Sequence, residues 1–132
     1  MALEHLNPTD VYEPYENVYS QVVRSIGRVQ VDVAGTVCLA PGREFVGEDD
    51  MAGQARQVFE NLRKSLAAAG ARVEDVVRIN IFTTDVDAYL EHVTPIAKEF
   101  WGAKPPASTL VGVTRLADPR YLVEIEATAV ID

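Results

Sequence analysis

The chain has 132 residues, of which 48% are hydrophobic and 24% are charged, and its formal net charge is −8 at pH 7. This length is enough for one hydrophobic core, and the composition is that of a globular domain and excludes a disordered or fibrous protein. Because an acidic surface repels phosphate groups, the charge disfavours binding to nucleic acid.

A single cysteine, Cys38, excludes an intramolecular disulfide. It lies in an apolar run, which predicts a packed side chain rather than a reactive one. The first residues are polar and lack the apolar stretch of a signal peptide, and no run reaches the length of a membrane span. We therefore expect a cytoplasmic protein that makes no contact with a membrane.

Residues 1–16 are polar, contain two prolines and show no periodicity. They are expected to form an extended N-terminal arm, with residues 17–132 as a single domain. Tyr12, Tyr15 and Tyr19 are close together in this region. They could close a pocket, but an aromatic cover over one edge of the core is the interpretation that we favour.

Two β-rich runs, at residues 19–26 and 28–33, flank Gly27. They are predicted to pair as an antiparallel hairpin. Gly35 interrupts the second run. A glycine inside a strand indicates a β-bulge, or a place where a ligand approaches the backbone.

A helix is predicted for residues 51–69, with Asp49 or Asp50 as its N-cap and Gly70 as its left-handed end. Apolar residues recur at spacings of three and four and form one stripe along it. This stripe consists of Met51, Ala55, Val58, Phe59, Leu62, Leu66 and Ala69. The opposite face is expected to be in solvent, and it carries Gln54, Arg56, Gln57, Arg63 and Lys64.

The second half of the chain predicts a strand at residues 75–83 and then a second helical region that contains Pro95. Because proline breaks a helix interior, we expect a short first turn and then a helix that restarts with Thr94 as its cap. Two further strands are predicted at residues 108–113 and 122–131.

The last predicted strand alternates between two faces. Its apolar residues can pack on a core, whereas Glu124 and Glu126 point the other way. A half-solvated face is the simpler interpretation of these carboxylates, and a pocket at a subunit contact is the alternative.

The predicted order β-β-α-β-α-β-β is that of an α+β domain with two helices on one face of a mixed sheet. Two helices cannot cover both faces of such a sheet. We therefore expect the chain to form an oligomer.

The sequence predicts no metal site and no cofactor. His5 and His92 are far apart along the chain, and neither has a nearby cysteine or second histidine. The motifs HExxH, CxxC and GxGxxG are absent, as is the phosphate-binding motif GxxxxGK[ST].

Residues 105–131 read PPASTLVGVTRLADPRYLVEIEATAVI. This segment resembles the C-terminal signature of the Rid family, the reactive intermediate deaminases that are also called YjgF-type proteins. That signature runs Pro-Ala-Arg-Ser/Thr, then a strand ending in Ala-Arg-Leu, then Glu-Ile-Glu-Ala-x-Ala. Shorter matches upstream, among them Tyr19-Ser20-Gln21 and Gln54-Ala55-Arg56, extend the resemblance over residues 17–130.

The resemblance implies a chorismate-mutase-like fold and a homotrimer whose sheets enclose a barrel-like centre, with a small-molecule cleft between subunits. In arginine-bearing members, the guanidinium holds a substrate carboxylate while water attacks a neighbouring imine carbon. Matched position by position, Glu124 is the expected catalytic residue. The expected substrate-binding residues are Tyr19, Gly35, Ser108, Thr109 and Leu110.

Ser108 stands where the best-known branch of the family has arginine. A neutral hydroxyl cannot hold a carboxylate as a guanidinium does. Arg115 matches a different arginine of the signature, so that Arg24 and Arg115 are only candidate replacements for the missing anchor.

Three hypotheses of function follow. The first is an imine or enamine deaminase that acts on a substrate other than ordinary 2-imino acids. The alternative is a non-catalytic trimer that binds a small metabolite. An endoribonuclease or translation inhibitor is the third hypothesis, and the acidic charge disfavours it.

Overall fold

The computed structural model describes residues 2–132; Met1, the first residue of the predicted arm, lies outside this range. The strands are β1 (Ala2–Leu6), β2 (Val22–Ile26), β3 (Val29–Thr36), β4 (Leu39–Ala40), β5 (Glu44–Phe45), β6 (Val76–Thr83), β7 (Ala107–Gly112) and β8 (Val123–Ile131). The helices are α1 (Met51–Ala68), α2 (Val86–His92) and α3 (Thr94–Trp101).

Four strands form the main sheet in the order β3-β8-β6-β7. Strand β8 is antiparallel to both β3 and β6, whereas β6 and β7 are parallel. The helices pack on one face of this sheet over a single core, so the predicted α+β fold with helices on a mixed sheet is confirmed. The face without helices is called the open face below.

The long helix α1 begins where the sequence predicts. The Asp50 carboxylate accepts a hydrogen bond from Gly53 N at 3.0 Å and caps the helix. The chain leaves the helix through Gly70, whose φ of +79° is in the left-handed region that glycine tolerates best. Most of the predicted stripe is buried, but Ala69 lies beyond the helix and is exposed.

Gln54 was assigned to the solvent face of α1, and this assignment is wrong. Its side chain is fully buried and bonds three backbone groups. The amide nitrogen donates to Gly47 O at 3.0 Å and to Arg120 O at 2.9 Å, and the amide oxygen accepts from Leu122 N at 2.8 Å. A polar residue is stable here because both amide hydrogens and the amide oxygen of its side chain are hydrogen-bonded.

The second helical region contains two helices, α2 and α3, rather than one turn and one helix. Asp85 caps α2 by accepting from Ala88 N at 2.9 Å. The break falls at Val93, which is the N-cap residue of α3, so the prediction of Thr94 as the cap is wrong by one residue. Pro95 lies in the first turn of α3, where its missing N–H has no helical partner to lose.

The predicted hairpin across Gly27 is wrong, because β2 pairs with β1 and β3 pairs with β8. The chain approaches β2 through Ser20, whose N–H donates to Pro106 O at 3.0 Å beside the start of β7. Strand β2 then passes β6 and β8 and reaches the start of β3. At the crossing, a Cβ on Gly27 would lie 2.8 Å from Ile131 O, so only a glycine fits there.

The sequence pattern of β8 is reproduced in the structure. Val123, Ile125, Ala127 and Ala129 are buried in the core, and the residues between them are half-buried on the open face. Cys38 is fully buried as predicted, and burial raises the pKa of its thiol. No helix within residues 2–132 is long and apolar enough to span a bilayer.

Candidate functional site

Strand β7 carries three of the predicted site residues, and their faces follow from its pairing with β6. Ser108 is paired with Ile79, and Leu110 is paired with Ile81. Both isoleucines are buried under the helices, so Ser108 and Leu110 lie on the helix side of the sheet. Thr109, between them, therefore lies on the open face.

A cavity of about 220 Å³ lies between the helix side of the sheet, the helices α2 and α3, and the segment that precedes β2. We call it the helix-side cavity. Its apolar walls are Val18, Ile79, Ile81, Leu90, Ala97, Trp101 and Leu110. Its hydroxyl-bearing residues are Tyr15, Tyr19, Tyr89, Thr94 and Ser108. Among the described residues, no charged side chain lines it.

Two of the three N-terminal tyrosines reach this cavity. Tyr15 and Tyr19 line it. These two residues therefore border a pocket, whereas we had favoured an aromatic cover over one edge of the core. Tyr12 remains 75% exposed and does not line it.

The two arginines considered as replacement anchors lie elsewhere. Arg24 is paired with Glu4 at 3.0 Å on the β1–β2 hairpin. Arg115 donates to the backbone oxygens of Leu116 and Ala117, each at 3.0 Å. Neither arginine lines the helix-side cavity, and no other cationic side chain within residues 2–132 does.

Glu124 lies on the open face of the sheet, opposite Phe82 of β6. The register of β3 against β8 shifts between Val33 and Thr36, which is the bulge predicted at Gly35. A Cβ on Gly35 would lie 2.9 Å from Glu124 Cδ and 3.3 Å from its Cγ. The glycine therefore leaves the space that the Glu124 carboxylate occupies.

A row of hydrogen bonds crosses the open face next to Glu124. Arg78 donates to Thr109 Oγ1 at 2.6 Å and to Asn80 Oδ1 at 3.1 Å. Asn80 in turn donates to Glu126 Oε1 at 2.9 Å. Thr109 is thus occupied by a side-chain partner on the open face, away from the helix-side cavity.

The predicted site residues therefore separate into two groups within one chain. Tyr19, Ser108 and Leu110 meet in the helix-side cavity, whereas Gly35 and Glu124 meet on the opposite face of the sheet. Their assignment as catalytic and substrate-binding residues remains a prediction. In a single chain, Glu124 does not reach the cavity.

Tyr89, Thr94 and Trp101 are cavity residues that the sequence does not reveal as such. Tyr89 recurs with Val93, Ile96 and Phe100 at helical spacing, a pattern that indicates a stripe facing the core. The signal that could have identified Tyr89 is its phenol, because a hydroxyl on a buried apolar face requires a partner. Burial raises the pKa of this phenol far above its usual value, so that it remains a neutral donor.

Residues 2–132 contain no group of three histidine, cysteine, aspartate or glutamate side chains arranged to hold a metal ion.

Residues 12–131 match the family described as Endoribonuclease L-PSP. The chain belongs to this family. The family also includes the RutC and Rid proteins that it resembles.

Individual relatives extend the match. A RutC family protein of Pyrococcus horikoshii is 32% identical over 111 residues, which are 84% of this chain and 85% of that protein. A 2-iminobutanoate/2-iminopropanoate deaminase of Dermatophagoides farinae is 35% identical over 79 residues, 60% of each chain. The crystal structure of YyfB, a Rid family protein of Yersinia pestis, superposes with a TM-score of 0.93 at 34% identity. That match covers 99% of this chain and 100% of YyfB.

Proposed function

We propose that this Rid family protein hydrolyses an imine or enamine that lacks an amino-acid carboxylate. The observation that carries the proposal is the uncharged lining of the helix-side cavity, with Ser108 at the position where the family resemblance leads us to expect arginine. A carboxylate bound there would lose its water without gaining a cationic partner, which is unfavourable. A neutral imine loses much less on entering the cavity.

The reaction requires only water and one group that transfers a proton. Water adds to the imine carbon, the electron pair of the C=N π bond moves to nitrogen, and nitrogen takes up a proton. The C–N bond of this adduct then breaks as the proton of its new hydroxyl passes to nitrogen, so that ammonia and a carbonyl compound leave. A carboxylate can take the proton from water and return it to nitrogen, and Glu124 is the expected residue for this role. The relative from Dermatophagoides farinae is named as a deaminase of this type.

Glu124 serves this reaction only if a neighbouring subunit brings it to the cavity, since the two lie on opposite faces of the sheet in one chain. The enzyme proposal therefore depends on the homotrimer, with its cleft between subunits, that the family resemblance implies.

The same separation favours a second candidate, a non-catalytic trimer that binds a small neutral metabolite. A binding protein needs only the cavity. Glu124 would then have a structural role, with its carboxylate packed against Gly35 at the bulge. An endoribonuclease is not favoured, because Asp32, Glu124 and Glu126 place three carboxylates on the open face, beside Arg78.

Two imines made in place by oxidases test the proposal. Phenylacetaldimine, from an amine oxidase, has no carboxylate, whereas 2-iminopropionate, from an amino-acid oxidase, has one. We expect the protein to accelerate ammonia release from phenylacetaldimine and to act poorly on 2-iminopropionate. Glu124→Gln should abolish the acceleration while the protein still binds neutral ligands.

The outcomes separate the two candidates. Binding without turnover, unchanged by Glu124→Gln, would support the metabolite-binding protein and reject the enzyme. Clearance of 2-iminopropionate faster than phenylacetaldimine would contradict both, because it would require a cationic anchor that the cavity does not contain.

A further inference from the structure

Tyr89 is the most deeply buried of the three tyrosines that line the helix-side cavity, with 5% of its surface exposed. It is held on α2 by the capped first turn, and its own N–H donates to Asp85 O at 3.0 Å. The position of its ring is therefore fixed by backbone contacts that do not involve the phenol.

The phenol itself has no hydrogen-bond partner anywhere in residues 2–132. The hydroxyls of Thr94 and Ser108, which line the same cavity, also lack side-chain hydrogen bonds within this range. Each of the three oxygens keeps contact with the cavity space and is not sealed inside the core. Three such groups around one cavity are therefore free to donate hydrogen bonds to a molecule inside it.

The lining also limits what that molecule can be. Seven of the twelve lining residues are apolar, and no cationic side chain within residues 2–132 lines the cavity to balance an anionic ligand. A cavity of 150 Å³ accommodates benzene, so the volume of about 220 Å³ corresponds to roughly nine non-hydrogen atoms. The ligand is therefore small, neutral and mostly apolar.

We infer that Tyr89 is a specificity-determining residue whose phenol donates a hydrogen bond to the one polar atom of such a ligand. This inference deepens the proposed function, on which it rests, by naming the substrate class: an aryl or branched alkyl imine, or its carbonyl product, without charge. The donated bond orients the polar atom toward α2 and leaves the apolar body against the sheet.

Three probes with the same number of non-hydrogen atoms test this inference by NMR titration of the full chain. Acetophenone has one acceptor, isopropylbenzene has none, and benzoate is an anion. We expect wild-type protein to bind acetophenone most tightly and benzoate least. Tyr89→Phe keeps the ring and removes only the hydroxyl, so it should weaken acetophenone about two- to twelve-fold and leave isopropylbenzene unchanged.

Tyr12→Phe is the matched control, because Tyr12 is exposed and lies outside the cavity, and it should change no affinity. Equal loss of acetophenone and isopropylbenzene in Tyr89→Phe would overturn the inference, since a packing role would affect both probes. No loss of either probe would overturn it, as would tight binding of benzoate or the failure of all three to bind. These affinities do not depend on turnover. If the three probes bind as expected but the protein hydrolyses no imine, only the enzyme proposal is rejected.

Discussion

Replacing Gly35 by alanine should displace the Glu124 carboxylate without unfolding the protein. The new methyl group would lie 2.9 Å from Glu124 Cδ, too close for both to keep their positions. Gly35 does not have a positive φ, so alanine introduces no backbone strain of its own. Because the contact is with the end of a flexible side chain, Glu124 can rotate away.

The expected change in stability is small, since two effects oppose each other. Moving Glu124 off its preferred rotamer costs about 0.5–1.5 kcal/mol. An alanine in place of glycine stabilises by about 0.4–1 kcal/mol where the backbone allows it. The free energy of unfolding should therefore change by less than about 1 kcal/mol, a shift in Tm of roughly 4 °C or less.

Gly27→Ala is the matched control, because its methyl group would meet the backbone oxygen of Ile131 at 2.8 Å. A backbone carbonyl in a sheet cannot rotate away, so this substitution should destabilise by about 1–3 kcal/mol. Thermal unfolding of the two variants gives the comparison. Equal destabilisation by Gly35→Ala and Gly27→Ala would refute the argument that the identity of the contacted atom decides the cost.

Ammonia release from phenylacetaldimine supplies the functional assay. If Glu124 moves the proton, Gly35→Ala should lose activity by about 10²-fold or more, as Glu124→Gln should, and the double variant should lose no more than either. Full activity in Gly35→Ala, combined with loss in Glu124→Gln, would show that the close approach of Gly35 does not position the carboxylate.

Three further outcomes are expected. Gln54→Leu leaves the Leu122 N–H and the Arg120 carbonyl without their partner, so urea unfolding should show a loss of about 2–4 kcal/mol, against less than about 1 kcal/mol for Gln57→Leu. Ser108→Arg places a guanidinium in the helix-side cavity, so it should raise the rate of 2-iminopropionate hydrolysis and weaken the binding of acetophenone. The opposite changes would contradict the position assigned to Ser108. Light scattering should give three times 14.5 kDa, and a monomer at all concentrations would reject the trimer and with it the shared cleft.

Much of the fold follows from local pattern. The alternation of β8 and the stripe of α1 are direct consequences of strand and helix periods, and both are reproduced. The pairing of β2 does not follow from local pattern, because β3, its neighbour in sequence, pairs instead with β8, which lies about a hundred residues further along the chain. Gln54 was misplaced for the same reason, since two of its three partners, Arg120 and Leu122, are 66 and 68 residues away in sequence.

The division of the candidate site was partly accessible from the sequence. Strand alternation alone shows that Thr109 cannot share a face with Ser108 and Leu110. Placing Glu124 relative to these residues required the registers of β8 and β7 on β6, which no single strand specifies. The hydroxyl of Tyr89 was visible in the sequence, but only the cavity shows that it lacks a partner.

The first strand has a practical consequence for work with shortened proteins. The family match begins at residue 12, whereas β1 covers one edge of β2 along Ala2–Leu6. A protein started at the family boundary would expose the N–H and C=O groups of that edge. Open edges pair readily with other molecules, so this truncation invites aggregation. The first residues thus cover one edge of β2. The boundaries of an expressed protein are therefore better chosen from strand pairing than from the extent of the family match.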